Sequence, residues 1–153
     1  MHPDPLVATP MDPIEQLLAE RACQRLLLDL VHRLDLGEPG SVAELFTEDG
    51  TWAWPEGDRL VKGRADLRAH FGSRPADCHA RRLMADVRVR VTSRDTATAT
   101  SYFTTYRVDD TPGAMPPVRI GHYEDTLHRT HEGSWLLAAR VLFLPCGSPT
   151  PRL

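Results

Sequence analysis

With 153 residues, 41% hydrophobic and 25% charged, the chain has room for one domain with a real core and the composition of an ordinary globular protein. A formal net charge of -3 supplies no basic field for nucleic acid, and no apolar run is long enough to cross a bilayer. The cysteines, Cys23, Cys78 and Cys146, are odd in number and form no C-x-x-C, so neither a disulfide framework nor a zinc cage is expected and a reducing, cytoplasmic setting fits best.

Met1-His-Pro-Asp-Pro-Leu6 lacks a basic region followed by an apolar run, so no signal peptide is expected, and residues 1–11 read as a mobile, proline-rich tail. Asp12-Pro13 reads as an N-cap followed by proline at the first helical position. Ile14, Leu17, Leu18, Ala22, Leu27, Leu28, Val31 and Leu34 then recur at helical spacing and predict a helix from 13 to about 35, stopped by Gly37 and Pro39. The run Leu26 to Leu28 makes it apolar over much of its girth, which predicts cover on more than one side. Ser41-Val-Ala-Glu44 is a capping-box pattern and opens a short helix that buries Val42, Leu45 and Phe46 and ends at Asp49-Gly50. Trp52 and Trp54 alternate with Ala53, as on a strand. Pro55 to Asp58 is a turn, Arg59 to Lys62 pairs back, and a third helix over 64–71 carries Leu67 and Phe71.

The C-terminal half is strand-like. Val87, Val89 and Val91 alternate with Arg88 and Arg90, which read as a solvated face. Residues 96–108, 119–129 and 135–144 are further strands, joined by turns at Ser93-Arg-Asp95 and His131-Glu-Gly133 and by the loop Asp109 to Pro117. Helices followed by an antiparallel meander make an α+β fold, one domain over 12–146 with a C-terminal tail at 147–153. A strongly curved sheet wrapped round the helices leaves a cone with a closed bottom and an open mouth.

In this order and spacing the chain resembles the SnoaL-like branch of the nuclear-transport-factor-2-like superfamily. The matching pieces are Leu34-Asp35-Leu-Gly-Glu38, Leu45-Phe-Thr-Glu-Asp-Gly50 with Trp52, Lys62-Gly63-Arg-Ala-Asp-Leu67, Asp86-Val-Arg-Val89, Asp95 to Phe103, Gly121-His-Tyr-Glu-Asp125, and Gly133-Ser-Trp135 leading to Arg140. The resemblance implies a cone-shaped barrel with an internal pocket, a homodimer formed through the sheet, and a place among polyketide cyclases, dehydratases (lyases) and isomerases of secondary metabolism. The superfamily also holds binding and scaffold proteins, so the fold alone leaves function open.

The resemblance makes Asp35 an acidic pocket residue that orients a histidine in a pattern like Arg-His-Leu-x-x-Asn-Val. Here that run is Arg81-Arg82-Leu-Met-Ala-Asp86-Val87, with Arg82 in the histidine's place, and a second pocket histidine is replaced near Ser101. Arginine stays protonated and is no general base. Asp35 and Arg82 therefore form either a structural ion pair or an anchor for a ligand carboxylate or enolate oxygen. His79 reaches a pocket mouth only if a bulge or register shift brings it there. On the strand 119–129, His122 and Glu124 share one face and Tyr123 and Asp125 the other, and one set lines the cavity; His122 with Glu124 would make a general-base pair. Trp52 and Trp54 are expected on opposite faces, one in the core and the other lining the pocket, and the resemblance favours Trp54 as the aromatic pocket wall, which would suit a flat substrate. Tyr102 and Tyr106 share a face and offer hydroxyls to a ligand carbonyl or to a dimer interface. His128 and His131 do not share a helical face, so no metal site is expected; nor does the chain contain a phosphate-binding loop, dinucleotide fingerprint or nucleophile elbow. Cys78 has no activating neighbour in sequence.

Two functions fit. The first is a cofactor-free enzyme that cyclises, dehydrates or isomerises a hydrophobic aromatic or polyketide-like molecule, with Asp35 and Arg82 as polar floor, Trp54 and Tyr102 as wall, and His122 or His79 as proton carrier. The second is a non-catalytic small-molecule binding protein, favoured by the missing pocket histidines.

Overall fold

A computed structural model describes residues 10–73, 79–108 and 118–145. The loop Asp109 to Pro117, Cys78, Cys146, the expected C-terminal tail and most of the expected N-terminal tail lie outside the described residues.

Helix α1 spans Pro13–Asp35, as its apolar spacing predicts. It buries a single stripe, Ala19, Cys23, Leu26, Leu27, Leu30 and Leu34, while Ile14, Leu17, Leu18 and Leu28 stay exposed. Among the described residues the helix is therefore covered on one side, not several. Pro13 starts it without a side-chain cap from Asp12. At the other end the Leu36 and Gly37 N–H groups both donate to the His32 carbonyl (2.8 and 3.2 Å), which closes the last turn.

The capping box does not form. Residues Pro39–Leu45 make a 3-10 helix that starts two residues earlier, at proline. Ser41 donates its hydroxyl back to the Glu38 carbonyl (2.6 Å), and Glu44 pairs with Arg33 (3.0 Å). Phe46 belongs to the following strand, β1 (Phe46–Trp54), which runs through Asp49-Gly50. Trp52 and Trp54, two apart on this strand, share its buried face; the expectation of opposite faces fails because strand side chains alternate with period two. After a one-turn 3-10 segment at Pro55–Gly57, Asp58 takes a left-handed conformation (φ 51°) and β2 (Arg59–Lys62) pairs back on β1. Helix α2 (Arg64–Gly72) buries Leu67 and Phe71. The Arg64 guanidinium ties its start to β1, donating twice to the Phe46 carbonyl (3.0 and 2.9 Å).

The remaining strands are β3 (His79–Val91), β4 (Thr96–Val108), β5 (Val118–Arg129) and β6 (Trp135–Phe143). They form the expected meander in a six-stranded sheet of order β2-β1-β6-β5-β4-β3. The β1–β6 pair is parallel, so the sheet is mixed, and it is curved but unclosed, an α+β layer arrangement with the helices on one face.

Two bulges decide which side chains point inward. On β3, Ala85 faces Tyr102 and Arg88 faces Thr100, so two residues stand opposite one, with Asp86 at φ 48°. The inward set therefore changes from Arg82 and Met84 to Val87, Val89 and Val91. On β6, Leu137 faces Leu127 but Ala139 faces Thr126, which brings both Leu137 and Arg140 to the inner face. Glycine is required at 121: a Cβ there would lie 2.5 Å from the Phe143 carbonyl and 2.8 Å from the Phe103 ring. Its absence lets Phe103 lie over β5 and stack on Tyr123, with ring centroids 4.5 Å apart.

Candidate functional site on the inner face of the sheet

Asp35 is the last residue of α1, and its carboxylate meets β3. One oxygen accepts the Arg82 backbone N–H at 2.6 Å and the other accepts the Arg82 guanidinium. The two side chains are 6% and 9% exposed, so the pair is largely withdrawn from water. Arg81 donates to the Asp35 backbone carbonyl (3.3 Å), placing a second cation where the helix C-terminus is negative. The Asp35–Arg82 partnership expected from the sequence is thus made twice, through side chain and backbone. Asp35 spends an acceptor on each contact, whereas the guanidinium has five N–H donors and remains able to bind an oxyanion.

Deeper on the same face lies a second ion pair. Arg140 Nε and Nη2 donate to the two Asp125 oxygens, both at 2.8 Å, and the pair is 2% and 0% exposed. The Tyr123 ring lies 4.0 Å from the guanidinium carbon. Burial alone would push the Arg140 guanidinium down; the charge and hydrogen bonds of Asp125, helped by Tyr123, outweigh it and hold it above its usual value. Ser101, opposite Tyr123 in register, is buried, and its hydroxyl finds no hydrogen-bond partner among the described residues. Trp54 Nε1–H is buried without one as well. Two such orphans on one apolar face are the groups a ligand carbonyl or water would satisfy. Cys23 offers no nucleophile: burial pushes its thiol up to about 12.

The other residues singled out from the sequence are not brought to this place. His122 and Glu124 lie on the outer face, 3.8 Å apart and both substantially exposed, because Tyr123, Asp125 and Leu127 take the inner one. His122 stacks on Phe143 (4.8 Å) and meets Tyr102 edge-on (6.4 Å). Tyr102 and Tyr106 share that outer face and are exposed. His79 is exposed at the start of β3, six residues before the bulge that would have had to redirect it. Among the described residues no group of three or more His, Cys, Asp or Glu side chains is placed to hold a metal. A groove of about 200 Å³ lined by Met11, Glu15, Leu18, Arg94, Arg129 and Trp135 lies at the opposite end of α1 from Asp35 and holds none of these residues.

The SnoaL-like domain family matches residues 15–141. The chain belongs to the SnoaL-like family. Solved structures share its fold. A scytalone dehydratase-like protein from Novosphingobium aromaticivorans superposes with a TM-score of 0.77 at 20% identity, covering 87% of this chain and 88% of its own. ActVI-ORFA from Streptomyces coelicolor gives 0.71 at 23% identity, covering 84% and 97%. An NTF2-like protein with a cystatin-like fold from Novosphingobium aromaticivorans gives 0.72 at 28% identity, covering 86% of each chain. No curated protein matches the chain.

Within this SnoaL-like domain the Asp125–Arg140–Tyr123 cluster was the part least legible in advance. Local pattern does not mark it: Tyr123, Asp125 and Leu127 alternate with Ile120, His122, Glu124 and Thr126, so each set mixes polar and apolar residues. His70 lies on α2 with its ring 4.5 Å from that of Trp52.

Proposed function

We propose that this SnoaL-like protein is a small-molecule enzyme that works without a cofactor on a flat, carbonyl-bearing substrate of aromatic or polyketide-like character. The reaction class is the one shared by cyclisation, dehydration and double-bond isomerisation: a proton moves beside a carbonyl and the resulting enolate is stabilised. The observation that carries the reading is Arg82, held on the inner face by both oxygens of Asp35. It is a preorganised cation on a face that also carries the Trp54 and Tyr123 rings, and its own anchoring needs no rearrangement when charge develops. Trp54 Nε1 and the Ser101 hydroxyl would orient the substrate carbonyl. A cytoplasmic setting and a role in secondary metabolism belong to the same reading.

A non-catalytic binding protein is the second reading. It is favoured by the position of His122 and His79 away from the inner face and by the engagement of both inner carboxylates, Asp35 and Asp125, with arginines. Proton exchange separates the two. With 2-tetralone as probe in D2O, the enzyme reading expects saturable acceleration of α-proton exchange, read by proton NMR. Saturable binding without exchange would establish the second reading, and neither binding nor exchange would sink both.

The outer face belongs to this proposal as a homodimer interface. Leu83, Thr104 and Ile120 stand in one row across β3, β4 and β5, beside Ala85, Tyr102, His122 and Phe143. Leu83, Tyr102 and Ile120 are each more than half exposed, an apolar patch of the kind that marks an interaction surface. Light scattering is expected to give a dimer mass for the protein and a monomer for Ile120→Glu. A monomeric starting protein would remove this element of the proposal.

A further inference from the structure

Three arginines gather on the inner face where β3, β4 and β5 adjoin. Arg82 on β3 faces Thr105 on β4, and Thr105 faces Arg119 on β5, so the three residues form one row across the sheet. Arg107, two residues along β4, lies on the same face in the next row, opposite Ala80. At the spacing of neighbouring strands the Arg82 and Arg119 backbones are roughly 10 Å apart, within reach of two long side chains converging on one small ligand. Arg107 and Arg119 are half-buried, so this is a wall and not a solvated fringe. Burial first, then Arg107 and Arg82, hold the Arg119 guanidinium below its usual value, with Tyr123 opposing. The charges therefore sense one another.

The inner carboxylates of the described residues are committed elsewhere: Asp35 to Arg82 and Asp125 to Arg140. Arg107 and Arg119 each have a further interaction within the chain, and a guanidinium with five donors accommodates a carboxylate beside it.

We propose that Arg107 and Arg119 form an anion subsite that holds a carboxylate of the substrate, leaving its reactive carbonyl toward Arg82. This rests on the enzyme reading above and narrows it to acidic substrates: an aromatic or polyketide-like molecule with a free carboxylate. The subsite would set substrate orientation, since a ligand pinned at its acidic end presents a fixed carbon to the Asp35–Arg82 pair.

Titrations of tryptophan fluorescence with 1-naphthoate and with the uncharged 1-naphthamide test it. The naphthoate is expected to bind at least about tenfold more tightly, as for a hydrogen-bonded charge partly removed from water, and the difference should shrink as salt is raised. Arg119→Met and Arg107→Met should each bring the two ligands to within about threefold while leaving naphthamide binding and the urea midpoint in place. Equal affinity for both ligands in the unaltered protein would overturn the subsite and leave the pocket reading standing. An undiminished preference in both variants would overturn the assignment to these arginines. Binding of neither ligand to folded protein would remove the pocket reading and the subsite together.

Discussion

Asp125→Ala is expected to lower folding stability by about 3–5 kcal/mol, read as a fall in the urea midpoint at unchanged slope. Asp125 and Arg140 stand directly opposite each other on β5 and β6, and both engaged nitrogens of Arg140 donate to Asp125. Removing the carboxylate leaves a guanidinium 2% exposed with no counter-charge from Asp125. The cost is that of a stranded charge, not the net worth of the pair. A double variant, Asp125→Leu with Arg140→Met, should therefore be more stable than Asp125→Ala alone, because it removes the stranded charge along with its partner. Asp125→Asn should fall between, since it keeps one good acceptor but loses the charge. An unchanged midpoint for Asp125→Ala would mean that Arg140 is solvated and that the pair does not hold β5 to β6.

Why that pair escaped a reading of the sequence is a matter of parity. On β5 both alternating sets mix polar and apolar residues, so local pattern does not say whether His122 or Tyr123 points inward. The choice is made by Arg140, on the next strand, and Arg140 faces inward only because the bulge near Ala138 shifts β6 by one residue. The same holds on β3, where the Ala85–Arg88 bulge allows Arg82 and Val87, of opposite parity, to share a face. A one-residue slip exchanges the faces of everything beyond it, and nothing local to Asp86 announces it except a residue type tolerant of positive φ.

Elements whose limits are set by local chemistry were readable. Pro13 and Gly37 bracket α1, Ser93 to Asp95 turns β3 into β4, and Gly63 precedes α2, so these boundaries agree with the spacing to within a residue or two. The exception is instructive. Ser41 and Glu44 have the right spacing for a capping box, but Pro39 starts a tighter helix ahead of them and each side chain finds another partner. The contact between Asp35 and Arg82 was legible because one ends a helix and the other stands in the run Arg81 to Val87 that the resemblance pairs with it. His122, Tyr102 and Tyr106 are polar aromatics on strands, and strand position without knowledge of the inward face does not distinguish a pocket wall from an outer surface.

Arg82→Met is expected to slow α-proton exchange of a bound ketone by about 100- to 1000-fold, the usual loss when one preorganised oxyanion donor is removed. The effect should fall on kcat more than on KM, because a cation that meets an enolate contributes little until charge develops. Arg82→Met also strands a carboxylate 6% exposed, so a lower urea midpoint is expected beside the kinetic loss; Asp35 keeps the Arg82 backbone N–H at 2.6 Å, and exchange is read on the folded protein. Asp35→Asn tests the anchor. Asparagine keeps the shape but offers one acceptor and two donors, so the backbone N–H and the guanidinium no longer both find a charged oxygen, and Arg82 loses its fixed position. If Asp35 acts through Arg82, the double variant should be little slower than Arg82→Met alone; if Asp35 moves the proton itself, the losses should accumulate. Full activity in Arg82→Met would reduce the pair to a structural clasp between α1 and β3. In that case its substitution should change the urea midpoint and nothing in the kinetics, so the two roles are separated by the same pair of proteins.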